Sequence, residues 1–137
     1  MKRNGFSLIE LMVVLVVIGI LASVAIPSYN RNIQSGYRSD AIGVIQEILS
    51  AQERFYTDEL TYTKTLKTLG LQVNSSGEHE TRDVRYKIKA QSCSGYTLKE
   101  CVEIVAKAQG EQAGDGNLIA NTMGRQDRIL DGTTLEW

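Results

Sequence analysis

The sequence predicts an α+β protein in which one long N-terminal α-helix packs, through its second half, on a small antiparallel β-sheet. Three observations carry that expectation. From Phe6 to Ile26 the chain is apolar except at Ser7, Glu10, Gly19 and Ser23. Beyond Pro27, Ile33, Tyr37, Ala41, Val44, Ile48 and Phe55 recur at steps of three, four or seven, the apolar stripe of a helix, with Ile45 and Leu49 widening it. From Val84 the pattern changes to alternation, with Val84, Tyr86, Ile88 and Ala90 on one side and Arg85, Lys87 and Lys89 on the other.

The first element is the apolar span. Its residues, at ~1.5 Å each, reach about 31 Å as a helix, the thickness of a bilayer's hydrocarbon core. Lys2 and Arg3 on its short side place that end in the cytoplasm and send the remainder outward. Glu10 is costly there, on the order of 2.5–3.5 kcal/mol at a helix centre and less near an end, so something must offset it. A secretory signal peptide cleaved after Ala25 is the competing reading. The run Leu11–Ile26 is long for a signal core, and Glu10 would interrupt it to no purpose. The second element continues the helix to about Tyr56, apolar on one side, with Arg31, Arg38, Asp40, Glu47, Glu53 and Arg54 between the stripe positions. Pro27 removes one backbone hydrogen bond and predicts a kink or local melting; Gly19, Gly36 and Gly43 weaken the helix further.

Thr57–Leu71 reads as a loop holding a short helical turn at Leu66–Leu69 that stops at Gly70. Asn74–Glu78 is a turn. The strand from Val84 is followed by a second over Cys101–Ala108, then a loop at Gly110–Gly116, and a final hairpin from Leu118–Met123 and Arg128–Leu130 joined through Gly124. Cys93 and Cys101 stand in what orientation makes an oxidising compartment, so a disulfide is their default state and two free thiols the alternative. The bridge would tie the end of the first long strand to the start of the next. The chain thus divides into residues 1–5, 6–27, 28–57 and a head over 58–137.

Chemistry of the catalytic kind is missing from the pattern. The single histidine, His79, sits in a charged loop, and one His with two Cys at these spacings is no zinc site. Neither a nucleophile elbow, a phosphate loop nor a Cys-x-x-Cys occurs. The chain is therefore expected to be no enzyme and to carry no cofactor or metal. The net charge of −1 and pI near 5.8 give no bulk attraction to nucleic acid or anionic membrane. Arg82, Arg85, Lys87 and Lys89 form the one basic cluster. It is either a solvated sheet face or a DNA-contacting patch; without aromatics on its side, stacking would contribute little.

Lys2-Arg3-Asn4-Gly5, then Phe6-Ser7-Leu8-Ile9-Glu10 and a long apolar run, resembles the N-terminus of type IV prepilins and their pseudopilin relatives; Ala25-Ile26-Pro27-Ser28-Tyr29 matches as well. The resemblance is strong over roughly the first thirty residues and looser after them. It implies a type IV pilin-like fold and a structural role, that of a minor pilin in a type IV pilus serving adhesion, motility or DNA uptake. A DNA-binding competence pilin and a pseudopilin of a type II secretion system are its alternatives. By the same resemblance, a prepilin peptidase cuts after Gly5 and the new amino group of Phe6 is methylated. Glu10 then pairs with the N-terminal ammonium of a neighbouring pilin subunit, the alternative being a carboxylate that snorkels to the headgroups. The segment between Gly19 and Pro27 would lose helicity on assembly. The partners implied are other pilin subunits, the peptidase, inner-membrane lipid before assembly and, for the competence reading, DNA; the head would be periplasmic and later part of an extracellular pilus. Many pilins close a disulfide loop near the C-terminus, so Cys93 and Cys101 depart from the family pattern.

Overall fold

The computed structural model describes residues 7–137. Helix α1 spans Leu8–Glu59 and passes through Pro27 without interruption. It runs a turn beyond the expected end near Tyr56, because Leu60 still donates its N–H to the Tyr56 carbonyl at 2.9 Å and then turns into the left-handed region with φ 55°. The chain divides into two compact units, one ending at Gln34 and one running from Ser35 to Trp137. In the first, the apolar side chains from Leu8 to Ile26 are largely exposed on every side of the helix. By length and composition this is the one helix among the described residues able to cross a membrane.

The second unit holds the remainder of α1 and a six-stranded antiparallel sheet. Its strands are β1 (His79–Glu80), β2 (Tyr86–Ser92), β3 (Val102–Ala108), β4 (Asn117–Asn121), β5 (Gln126–Leu130) and β6 (Thr133–Leu135), paired in chain order as a meander. Short connections between sequential strands are what an antiparallel meander requires. Ala41, Ile45 and Ile48 of α1, at steps of four and three, share one buried cluster with Tyr86, Ile88 and Ala90 of β2, alternate residues of β3, and Leu118 and Ala120 of β4. Helical and strand periods therefore meet in one core, as the sequence predicts.

The 3-10 turn at Leu66–Leu69 forms and ends at Gly70 with φ 85°. The Asn74 turn forms too: its side-chain carbonyl accepts from the N–H groups of Ser76 and Glu78. Cys93 and Cys101 are bridged, Cα atoms 5.5 Å apart, joining the end of β2 to the start of β3.

Several expectations need correction. The first long strand starts at Tyr86, because Val84 closes a turn on the Thr81 carbonyl (2.8 Å) with φ 52° and leaves the alternation. Gly110–Asp115 is a 3-10 helix instead of a loop, held by its buried Gln112 and Asp115. It can end only at a glycine: a Cβ on Gly116 would lie 2.6 Å from the Ile129 carbonyl oxygen. His79 lies on β1, its ring Nδ1 2.8 Å from the Gln72 carbonyl oxygen, and not in a loop. Strands β1 and β6 have two and three residues, too few to register as alternation.

Two outcomes are expected. Ile45→Ala, at a fully buried position, should cost about 2–5 kcal/mol, read from chemical unfolding of the detergent-solubilised chain. Opening the eight-residue separation by Cys101→Ser should cost roughly 2–3 kcal/mol on the loop-entropy estimate, by the same measurement.

Candidate functional site

Residues named from the sequence lie at separate places along the chain. Gly5 and Phe6, the expected processing site, lie outside the described residues. Glu10 stands exposed in the first turn of α1 among Leu8, Ile9, Met12 and Val13, and among the described residues no cation pairs with it. Gly19 and Pro27 both lie within the continuous helix.

The basic residues are only partly brought together. Lys87 and Lys89 point outward from β2, opposite in phase to the buried Tyr86, Ile88 and Ala90. The register sets Lys87 directly across from Lys107 of β3, whose side chain is exposed. Lys107 was legible in principle, since it alternates with Ala106 and Ala108, but only the β2–β3 pairing brings it beside Lys87. Directly opposed strand residues have Cβ atoms about 5 Å apart, so the two ammonium groups repel unless an anion joins them. Lys87 reaches Glu80 of β1 at 3.6 Å, with both side chains about a third exposed. Lys89 is exposed across from Val105.

Arg85 does not belong to this row. Because the chain turns at Val84, the Arg85 guanidinium sits 5.0 Å from the centroid of the Tyr37 ring on α1 and 3.5 Å from Glu111. Tyr86 is fully buried, so no ring from β2 faces the lysines.

A buried polar cluster lies on the helix side of the sheet. The Asp115 carboxylate receives Arg38 of α1 at 2.5 Å and Arg128 of β5 at 3.1 Å. The Gln112 amide donates to the Tyr86 hydroxyl oxygen (3.0 Å) and to Asp115 (3.1 Å). Burial, opposed by the Gln112 hydrogen bond and reinforced by the Asp115 charge, pushes the Tyr86 hydroxyl up to about 12. Arg38 falls on the polar side of the helical stripe, and nothing local distinguishes it from the solvated Arg31; its partner lies 77 residues on. The disulfide loop is closed a second time by Glu100. Its carboxylate accepts from the Thr97 N–H and hydroxyl at 2.9 and 2.8 Å, contacts that lower its pKa.

With this geometry in hand, comparison with known proteins separates the chain into two matching stretches. Residues 1–26 match the prokaryotic N-terminal methylation motif. Residues 27–119, more than half of the chain and most of its head, match the family described as type IV minor pilin ComP, DNA uptake sequence receptor. The chain belongs to that minor pilin family. Among curated relatives, the type IV major pilin protein PilE of Neisseria gonorrhoeae is 35% identical over 54% of this chain and 44% of its own length. The type IV major pilin protein PilA of Myxococcus xanthus is 33% identical over 50% of this chain and 31% of its own. The type II secretion system core protein G of Vibrio cholerae is 32% identical over 61% and 58%. The chain thus spans about a third to three fifths of the length of these relatives.

The buried cluster makes two further outcomes testable. Tyr86 has a folded pKa above the usual phenol value, so its contribution to stability is complete below pH 10 and lost as pH rises from about 10 to about 12. Tyr86→Phe should flatten that part of a midpoint-versus-pH curve. Asp115→Asn strands two guanidinium groups that are each about four-fifths buried and should destabilise the head by about 3 kcal/mol, measured by urea unfolding at pH 7.

Proposed function

We propose that this minor pilin is a structural subunit of a type IV pilus whose head contacts DNA during uptake. The observation that carries the reading is the match to DNA-uptake-receptor pilins over residues 27–119. It is supported by the outward row of Lys87, Lys89 and Lys107, a spacing of positive charge suited to phosphates. In this reading the stem, residues 6–27, lies in the inner membrane before assembly, with the head in the periplasm, and later bundles with other pilin stems in an extracellular filament. A prepilin peptidase cuts after Gly5, and Phe6 is methylated. Glu10 then meets the terminal ammonium of a neighbouring stem, each charge offsetting the other's desolvation. Unwinding between Gly19 and Pro27 eases that packing, since Pro27 leaves the Ser23 carbonyl without its helical donor.

The relatives among secretion-system core proteins favour a second reading, a pseudopilin. Deleting the gene separates the two: loss of DNA uptake with secretion intact supports the pilus, and the reverse supports the pseudopilin.

Two substitutions test the parts. Glu10→Ala should leave membrane insertion unchanged and reduce the chain found in sheared filaments at least tenfold. Converting Lys87, Lys89 and Lys107 to Ala together should weaken duplex binding by the full chain in detergent. It should also lower the slope of log affinity against log salt by roughly 3, about one for each lysine–phosphate pair removed. An unchanged slope removes the lysine row from the interface.

A further inference from the structure

Across the outer face of the sheet, one row of opposed residues reads acid, base, base: Glu80 of β1, Lys87 of β2 and Lys107 of β3. Residues paired this way have Cβ atoms about 5 Å apart. Lys87 therefore has an attractive neighbour on one side and a repulsive one on the other. It leans to the acid, its ammonium 3.6 Å from Glu80 Oε1. That is longer than the roughly 2.7–2.9 Å of a charge-assisted hydrogen bond, so Lys87 is held by charge without being locked. Lys89 and Lys107 enter no ion pair among the described residues.

Glu80, in contrast, is anchored. The Asn74 side-chain carbonyl accepts from the N–H groups of Ser76 and Glu78, which leaves its amide nitrogen to donate to the same Glu80 Oε1 at 2.9 Å. A carboxylate tied to a turn stays at the β1 edge, while a lysine on its flexible four-carbon stem can swing away. The remaining charges nearby do not compete for Lys87. Glu103 and Asp127 both pair with Arg125, and Glu103 lies four residues from Lys107 along β3, about 13 Å. Glu78 and His79, half-buried beside Glu80, enter no ion pair among the described residues, and the exposed Arg82 and Asp83 that follow offset each other in net charge.

We propose, on the DNA reading above, that Glu80 is a positioning residue for the DNA contact. It holds Lys87 over β1 in the free chain and yields it to a phosphate lying between Lys87 and Lys107. A phosphate there attracts both ammonium groups and removes the repulsion between them. The same step breaks the pair with Glu80, so part of what Lys87 gains from phosphate is offset by the carboxylate it leaves. Glu80 thus weakens the grip of one lysine of the three, whatever the base sequence, and leaves Lys89 and Lys107 at full strength.

The test is duplex binding by the full chain in detergent, with Glu80→Gln made in the wild-type and in a Lys87→Ala background. Glutamine keeps an oxygen acceptor for Asn74 and removes the charge. In the wild-type background Glu80→Gln should tighten binding roughly twofold to fivefold, the range of an exposed ion pair. It should also steepen the slope of log affinity against log salt by about 1. In the Lys87→Ala background most of that gain should disappear, because no lysine remains to be released. A gain as large there as in the wild-type background overturns the proposal, since Glu80 then acts only as a diffuse negative charge. No gain in the wild-type background overturns it as well. Wild-type binding, measured alongside, reports on the DNA reading separately. Absence of duplex binding in every variant rejects both, whereas a bound duplex with unchanged Glu80→Gln affinity rejects this role alone.

Discussion

One helix has to satisfy two unlike surroundings, and the rest of the molecule follows from how it changes between them. Up to Ile26, α1 is apolar on nearly all sides, and no sheet of its own chain can cover a cylinder completely. Only lipid, or a bundle of like helices, removes that much apolar surface from water. From Ala41 onward the apolar residues withdraw to one stripe, Ala41, Ile45, Ile48 and Ala51, which a single sheet face can bury. At about 25 cal/mol per Å² of apolar surface, each isoleucine in that stripe contributes roughly 2 kcal/mol. The head is thus anchored on the part of α1 that has a free polar side, leaving the earlier part uncommitted.

That division is legible because it is written in period and composition. A period of 3.6 with an interrupted stripe, then a period of 2 read from Val84, is enough to place α1, β2 and β3, with β2 begun two residues too early. The cysteine pairing follows from compartment chemistry. The failures have two physical causes: a local turn, as at Thr81–Val84, or a partner remote in sequence. Gly110–Asp115 has the composition of a loop, and it becomes ordered because Asp115 is claimed by Arg38 and Arg128 from other elements. Alternation alone sets Arg85 with the lysines; the turn ending at Val84 takes it to Tyr37 instead. Strand β6 exists because β5 offers an edge, register Ile129 to Thr134, and not through any preference of Thr133 or Thr134 for burial.

The Asp115 cluster also explains why the helix and the distal strands hold one register. A carboxylate shared by two arginines leaves a local excess of one positive charge in a site that water barely reaches. Such an arrangement stabilises less than its short contacts suggest, since three groups were desolvated to form it. Sliding α1 by one turn would leave buried charge without a counterpart, and it would also bring Ile45 onto the site of Ala41, so charge and side-chain volume oppose the same shift.

The outer face of the sheet has a different character, which bears on what it can recognise. Base edges are read in the major groove by donors as well as by acceptors, Arg or Lys on guanine and Asn or Gln on adenine. Two amides near the lysines have their acceptors committed internally, Asn117 to the Ala108 N–H and Asn121 to those of Met123 and Arg125, whereas Gln91 engages its donor, on Glu103. Beside them stand the ammonium groups of Lys87, Lys89 and Lys107, with Arg125 paired to Asp127 and Glu103 further along the sheet. In the DNA reading proposed above, ammonium groups would meet phosphates, which fix position, or guanine edges, which carry sequence. The phosphate share of such contacts would weaken steeply with salt, whereas the base-edge share would depend on the duplex presented.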